Sequence, residues 1–102
     1  MNKDLKDKMA LELRQYWDNK KLLEELEQHG STRSIIFCQQ RIIYVENVMK
    51  QLKPFEKQMF YFIFKDCYDW IYCEAQKNIS KSTYYNIYNK CITLLAKEWG
   101  IM

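Results

Sequence analysis

Apolar residues recur at three- and four-residue steps along most of the chain, the spacing of one face of an α-helix. In residues 4–28 this pattern predicts a first helix, which Asp18-Asn19 could interrupt because both residue types favour helix caps over interiors. Gly30 is well placed to cap the end of this helix, and Ser31 or Thr32 to cap the start of the next.

The pattern predicts a second helix over residues 33–52. One side of this helix is mostly apolar, with the polar Gln39 and Glu46 at its margin, and carries Ile35, Ile36, Gln39, Ile42, Ile43, Glu46, Met49 and Leu52. The helix should end near Leu52, because Lys53 precedes a proline and such a residue resists helical geometry. Pro54 itself suits the first turn of a following helix.

A third helix is predicted from Pro54 to about Lys65. The run 59–64 is apolar nearly all round, and a β-strand is an alternative because aromatic residues favour strands. Helix is preferred, because Phe55, Met59 and Ile63 extend the pattern at four-residue spacing. A helix that is apolar all round should lie at the centre of the fold.

The last part of the chain predicts two helices separated by a tight turn. The first spans Asp66 to Lys77, with Trp70, Ile71 and Ala75 pointing inward, and Asn78-Ile79-Ser80 forms the turn. The second runs from Lys81 to about Trp99, before Gly100. Its inward residues are expected to be Tyr84, Ile87 or Tyr88, Cys91, Leu94 and Leu95.

Together these elements predict an all-α fold of about five helices. Only two glycines and one proline occur in 102 residues, which leaves few places for the tight turns that a sheet needs. Residues 1–30 are expected to form an amphipathic helix that packs or dimerises. Residues 31–102 are expected to form a helical core with a helix-turn-helix at about 66–99.

Charge is unevenly distributed. The net charge is +3, from sixteen basic and thirteen acidic residues, yet residues 75–97 contain four lysines and no acid. Such a stretch is either a footprint for phosphate groups or a solvated helix face.

Enzymatic chemistry is not expected. The four cysteines lack the paired spacing of a metal site, and the single histidine, His29, has no evident catalytic partner. Neither a cofactor nor a metal is therefore predicted. The chain start lacks an apolar export signal, and no run approaches the roughly 20 apolar residues of a membrane span. A cytoplasmic protein with reduced cysteines is expected.

The stretch 70–100 has the organisation of a DNA-binding helix-turn-helix. Ser80 is placed to cap the second helix, whose start carries partial positive charge and attracts phosphate. The outward positions carry side chains suited to the major groove, uninterrupted by an acid on that face. The predicted DNA-binding residues are Lys77, Ser80, Lys81, Ser82, Thr83, Tyr85, Asn86, Asn89 and Lys90. Tyr85 can equally serve the core, where Tyr84 and Tyr88 are expected.

The run 79–85 (Ile-Ser-Lys-Ser-Thr-Tyr-Tyr), Lys90, the run 94–96 (Leu-Leu-Ala) and Trp99-Gly100 resemble the C-terminal end of phage late-gene transcriptional regulators of the RinA and ArpU type. The lead-in 52–57 is also similar, so that the resemblance covers roughly residues 50 to 100. These regulators resemble region 4 of sigma-70-type factors. The resemblance implies a phage or prophage protein that activates late genes in a bacterial host. The chain departs from the family in having Lys77 where leucine is usual and Asn78 where glycine is common.

Two functions follow as hypotheses. The first is a sequence-specific regulator that binds double-stranded DNA, acts with RNA polymerase, and forms a homodimer through residues 5–26. The second is a protein-interaction module that uses a degenerate helix-turn-helix to bind a repressor, a sigma factor or RNA polymerase. A structural phage protein is a weaker third reading, since it has no need of a helix-turn-helix.

Overall fold

The computed structural model describes residues 1–101. In it the chain is 82% helix and has no strand among the described residues, which confirms the all-α prediction. Six α-helices follow one another: α1 (Lys3–Arg14), α2 (Tyr16–His29), α3 (Thr32–Lys50), α4 (Pro54–Phe60), α5 (Trp70–Lys77) and α6 (Lys81–Glu98). A π-helical turn, Tyr61–Lys65, continues directly from α4.

The predicted first helix is two helices, and they separate at Gln15 instead of at Asp18-Asn19. The helices on either side of Gln15 bury their apolar residues against different neighbours. Leu13 is buried on α1, which packs against α6, whereas Tyr16 and Asn19 are buried on α2, which packs against α3. Asn19 therefore lies inside α2, although the preference of asparagine for helix caps predicted a helix end near this position.

The α3 helix begins and ends close to the predicted positions, but only part of its predicted apolar side is buried. Ser31 caps the helix by accepting a hydrogen bond from the Ser34 amide at 3.2 Å. The residues that α3 buries are Cys38, Ile42, Val45 and Val48. Ile36 and Ile43 are 57% and 49% exposed, and Gln39 is also exposed. The helix carries apolar residues on two sides, so spacing alone did not show which side meets the core.

The α4 helix and its π-helical continuation form the predicted central segment. Pro54 starts the helix, and the Glu56 carboxylate accepts a hydrogen bond from the Lys53 amide at 2.9 Å. The core side chains of this segment are Met59, Phe60, Ile63 and Phe64, each at most 1% exposed. Phe55, by contrast, is exposed.

The α5 helix is shorter than predicted. It begins at Trp70, where the Asp69 carboxylate accepts a hydrogen bond from the Tyr72 amide at 2.8 Å. Residues 66–69 are a connection, and Cys67 has a left-handed backbone, with φ of 56°, which ends the preceding helix. Cys73 is the buried residue of α5; the predicted inward residues Ile71 and Ala75 are exposed and Trp70 is half-buried.

The α6 helix contacts α1, α3, α4 and α5 and so lies at the centre of the assembly of helices. Its buried residues are Tyr84, Ile87, Cys91, Ile92, Leu95 and Ala96. The predicted face is therefore correct but too narrow, since Ile92 and Ala96 are buried as well. Within residues 1–101, no helix combines the length and the apolar character needed to cross a membrane.

Candidate nucleic-acid interface

A tight turn connects α5 to α6. Asn78 has a left-handed backbone, with φ of 55° and ψ of 41°, a conformation that asparagine tolerates better than most residues. Ile79 is buried, and its amide donates a hydrogen bond to the Cys73 carbonyl at 3.2 Å. The turn is therefore anchored to the core from within, which fixes the position of α6 relative to α5.

The start of α6 is capped by its own sequence. Ser80 Oγ accepts a hydrogen bond from the Thr83 amide at 3.2 Å and is 2.9 Å from Thr83 Oγ1. The first turn of a helix has further amides without partners inside the helix, and these give it partial positive charge. Ser80, Lys81 and Ser82 are exposed at this end, so a phosphate group can approach it.

Aromatic residues hold the buried side of α6 in place. The Tyr84 hydroxyl donates a hydrogen bond to the Tyr68 carbonyl at 2.8 Å, and burial raises the pKa of Tyr84 to about 12. Tyr88 stacks on Phe64 with ring centroids 5.6 Å apart. Because its pKa is raised, the Tyr84 hydroxyl stays neutral at physiological pH and keeps its hydrogen bond to the Tyr68 carbonyl. The structure places Tyr84 in the core, as predicted, and Tyr88 at its edge.

The opposite side of α6 is open to solvent. Ser82, Tyr85, Asn86 and Asn89 are exposed and follow one another at helical spacing. We call these four residues the α6 stripe. Tyr85 contacts the ring of Tyr84 edge-on, with centroids 5.2 Å apart, but remains on the surface. The amides, hydroxyls and aromatic edge of the stripe are the groups that can bond to base edges in the major groove.

The predicted basic residues beside the stripe all have partners on neighbouring elements. Lys81 Nζ lies 4.5 Å from the centroid of the Trp70 ring, and Lys77 Nζ lies 5.0 Å from that of Phe62. These cation–π contacts hold both ammonium groups next to the turn without neutralising them. Lys90 differs, because its ammonium group pairs with the Glu56 carboxylate at 2.8 Å.

The sequence reasoning missed Glu56. Residues 75–97 contain no acid, but α4 brings this carboxylate to Lys90 from 34 residues away. The hydrogen bond from Lys90 is the main cause that lowers the pKa of Glu56, followed by the hydrogen bond from the Lys53 amide. The carboxylate therefore stays charged and cancels one positive charge on the candidate DNA-binding face.

A groove lies between the turn and α4. It has a volume of about 500 Å³, and its walls include Phe55, Gln58, Phe62, Lys77 and Ser80. Phe55 and Gln58 were not among the predicted site residues, and nothing in their local sequence marks them. They line the groove because α4 passes alongside the start of α6.

The remaining chemistry-bearing residues do not assemble into a site. Within residues 1–101, no three His, Cys, Asp or Glu side chains are grouped so as to hold a metal ion. Burial raises the pKa of the Cys91 thiol to about 12, so this thiol is not a nucleophile near neutral pH. His29 is exposed at the end of α2.

Comparisons with protein-family models, with curated proteins and with solved structures give no match for this chain. The geometry of α5, the turn and α6 is therefore the basis on which a function is proposed.

Proposed function

We propose that this chain is a sequence-specific transcriptional regulator that binds double-stranded DNA through the α5–α6 helix-turn-helix. In this proposal α6 enters the major groove with its capped start leading. The α6 stripe then faces the base edges, and Lys77 and Lys81 contact phosphate groups on either side. The protein acts by binding, without a cofactor and without catalysis.

Two features of α6 together carry the proposal. Its capped start is exposed, and its exposed side carries the polar α6 stripe while the opposite side is buried on the core. A surface helix with no binding role needs only solubility, which charged residues supply more readily. The α6 stripe instead carries two asparagines, a serine and a tyrosine, and contains no charge. Asparagine can form two hydrogen bonds with an adenine edge, which makes this composition suited to base reading.

The specific role follows the sequence resemblance. We propose a phage or prophage regulator that activates late genes in the cytoplasm of a bacterial host and acts with RNA polymerase. The run 79–85, which contains the cap Ser80 and the tyrosines Tyr84 and Tyr85, carries part of this resemblance. Ser80 caps α6, the helix whose start carries the resemblance, and this cap supports the proposal.

The test is DNA binding by the purified chain. Duplexes from upstream of its own gene, and duplexes selected from a random library, would be titrated by fluorescence anisotropy over a salt series. Binding with a slope of about −0.9 per phosphate contact in a log–log plot against salt is expected. Asn86→Ala should weaken binding to the selected site roughly tenfold, since a good base contact is worth about 1–3 kcal/mol.

A matched control separates the stripe from general surface effects. Gln39→Ala shortens an exposed polar side chain on α3, outside the α6 stripe, and should leave the affinity unchanged. A folded wild-type chain that binds no duplex at low salt would overturn the proposal. Equal losses from Asn86→Ala and Gln39→Ala would place the base-reading surface elsewhere.

A second candidate function is a protein-interaction module that binds a repressor, a sigma factor or RNA polymerase through the same helices. It is favoured by the exposed apolar side chains of Ile71 on α5 and Phe55 beside the turn, and by the neutralisation of Lys90. Ile71→Asp distinguishes the two functions. It should abolish partner capture if the module binds protein and should leave duplex binding intact if α6 reads DNA.

A further inference from the structure

The α2–α3 hairpin exposes an unusual amount of apolar surface. Phe37 is 65% exposed, the highest value among the large apolar residues of the described chain, and Leu22 of α2 is also exposed. Contiguous apolar patches on soluble proteins commonly mark interaction sites. No other element of the described chain covers these side chains, so the hairpin presents them to an external partner.

A groove runs between the two helices on this face. It has a volume of about 400 Å³ and is lined by two leucines of α2 and five residues of α3, namely Leu22, Leu26, Arg33, Ser34, Phe37, Cys38 and Arg41. The Phe37 ring stands at the edge of the groove with much of its surface open to solvent, and the guanidinium carbon of Arg41 lies 5.8 Å from its centroid. The same face therefore carries a protruding aromatic ring, Phe37, and beside it a groove with Leu22 and Leu26 in its wall.

The two edges of this face carry opposite charge. On α2, Asp18, Leu22 and Glu25 follow one another at spacings of four and three residues and so share one side of the helix. On α3, Arg33 and Phe37 share a side in the same way. Lys21 shares this side of α2, so the edge carries two acids and one base and is net acidic. The α3 edge is basic through Arg33, and Asp18, Lys21, Glu25 and Arg33 are all exposed.

We infer that this face binds a second copy of the chain. A two-fold axis along the hairpin places α2 of each copy against α3 of the other. Phe37 of one copy then packs between Leu22 and Leu26 of the second, and Glu25 lies beside Arg33. When two copies are related by this axis, the acidic edge of each lies against the basic edge of the other. The face is therefore complementary to itself, as an isologous contact requires. A partner of uniform charge would be repelled at one edge.

The proposed interface lies at a distance from the α6 stripe. The hairpin meets α6 at its C-terminal end, where the Tyr44 and Trp99 rings are 6.1 Å apart and Asn47 hydrogen-bonds to Glu98. The capped start of α6 is 18 residues away, about 27 Å along the helix. Dimerisation through the hairpin therefore leaves both α6 stripes uncovered, and its occurrence does not depend on DNA binding.

Sedimentation velocity of the full chain without DNA, over a range of protein concentrations, tests this inference. The wild type should sediment as a dimer. Phe37→Glu should raise the dimer dissociation constant at least roughly 30-fold, as expected for an aromatic residue at an interface centre. Phe55→Glu is the matched control, because it makes the same change at an exposed phenylalanine on α4 and should leave the dimer intact. Far-UV circular dichroism checks that each variant is folded.

A charge-reversal cycle tests the two-fold arrangement. Arg33→Glu places glutamates opposite each other and Glu25→Arg places arginines opposite each other, so each should weaken the dimer. The double variant restores opposite charges and should recover most of the wild-type affinity. A wild type that is monomeric at every concentration overturns the inference. The inference is also overturned if Phe37→Glu and Phe55→Glu reduce the affinity of the dimer equally. It is likewise overturned if the double charge variant forms a weaker dimer than either single variant. None of these results bears on DNA binding, which is measured separately.

Discussion

Lys90 Nζ lies 2.8 Å from Glu56 Oε2, so an acidic side chain of α4 neutralises a lysine on the helix that is proposed to read DNA. Glu56 also accepts a hydrogen bond from the Lys53 amide, which fixes the carboxylate at the start of α4. Lys90 is therefore paired with a carboxylate that is also bonded to the backbone of its own helix start. The pair ties α4 to α6, and at the same time it reduces the positive charge available for phosphate.

Glu56→Gln should strengthen DNA binding, because it removes the competitor for Lys90. The amide oxygen of glutamine can still accept the Lys53 hydrogen bond, so the start of α4 is preserved. The affinity for duplex DNA at low salt should rise several-fold, and the salt dependence should steepen by about one phosphate contact. Anisotropy titrations over a salt series measure both quantities.

The double variant Glu56→Gln/Lys90→Gln identifies the origin of this gain. If freeing Lys90 is the cause, the double variant should lose the extra affinity and the extra salt dependence. A gain that persists without Lys90 would show instead that the carboxylate repels DNA directly.

Glu56 should also contribute to the pH dependence of stability. Its pKa is lowered in the folded chain, chiefly by the hydrogen bond from Lys90. A carboxyl group with a lowered folded-state pKa stabilises the fold above its unfolded-state pKa, about 4.3, and loses that contribution as the pH falls through the folded-state pKa. The contribution should be no more than about 1 kcal/mol, because Lys90 is partly exposed.

Urea unfolding of the wild type and of Glu56→Gln at a series of pH values checks this expectation. The wild type should be the more stable at neutral pH, and the difference should shrink below about pH 4.3. Glu24→Gln, at an exposed position of α2, is the control and should show a smaller difference at neutral pH. A difference between wild type and Glu56→Gln that is constant with pH would mean that the ion pair adds nothing.

Several helix boundaries in this chain were predictable from local signals, although the break at Gln15 and the start of α5 at Trp70 were not. Ser31 and Ser80 cap the helices that follow them through bonds three residues away, and Pro54 starts α4. Such interactions depend on a few neighbouring residues, which the sequence displays directly. The turn at Asn78 was found for the same reason.

The buried faces and the partners of charged residues were less predictable, because they depend on contacts distant in sequence. Ile36 and Cys38 are both candidates for the core by composition, and only the position of α2 shows that Cys38 is buried. The pairing of Lys90 with Glu56 likewise requires the packing of α4 on α6. Apolar spacing describes one helix at a time and contains no information about which neighbour it will meet.

Asn19 is buried at 6% exposure in α2, and its side-chain Nδ2 has no hydrogen-bond partner in the described chain. A buried amide donor without a partner lowers stability by about 1–3 kcal/mol. Asn19→Leu keeps a similar side-chain size and removes the donor, so the free energy of unfolding should rise by about that amount. The Cys38 thiol should be unaffected, because it donates to the backbone carbonyl of residue 19.

Thermal and urea unfolding of Asn19→Leu measure this effect. A small gain in the free energy of unfolding would indicate that leucine fits the site imperfectly. Asn19→Ala, which removes the amide donor without adding the leucine side chain, would then separate the effect of the donor from the effect of packing. A clear loss of stability in both variants would show that the amide makes a favourable interaction and that the expectation is wrong.

Ser80→Asp should separate the capping of α6 from its role in DNA binding. Aspartate caps a helix about as well as serine, and its charge is favourable at the partially positive helix start, so stability should be unchanged or slightly higher. The same charge repels phosphate where the DNA backbone is proposed to lie, so the affinity for duplex DNA should fall at least about tenfold. Ser31→Asp is a matched control, because Ser31 caps α3 with the same 3.2 Å bond to an amide three residues ahead. Ser31→Asp should therefore keep both stability and DNA affinity. If Ser80→Asp is stable and binds DNA as tightly as the wild type, the start of α6 does not face the phosphate backbone. The protein-interaction function would then be the better account of the helix-turn-helix.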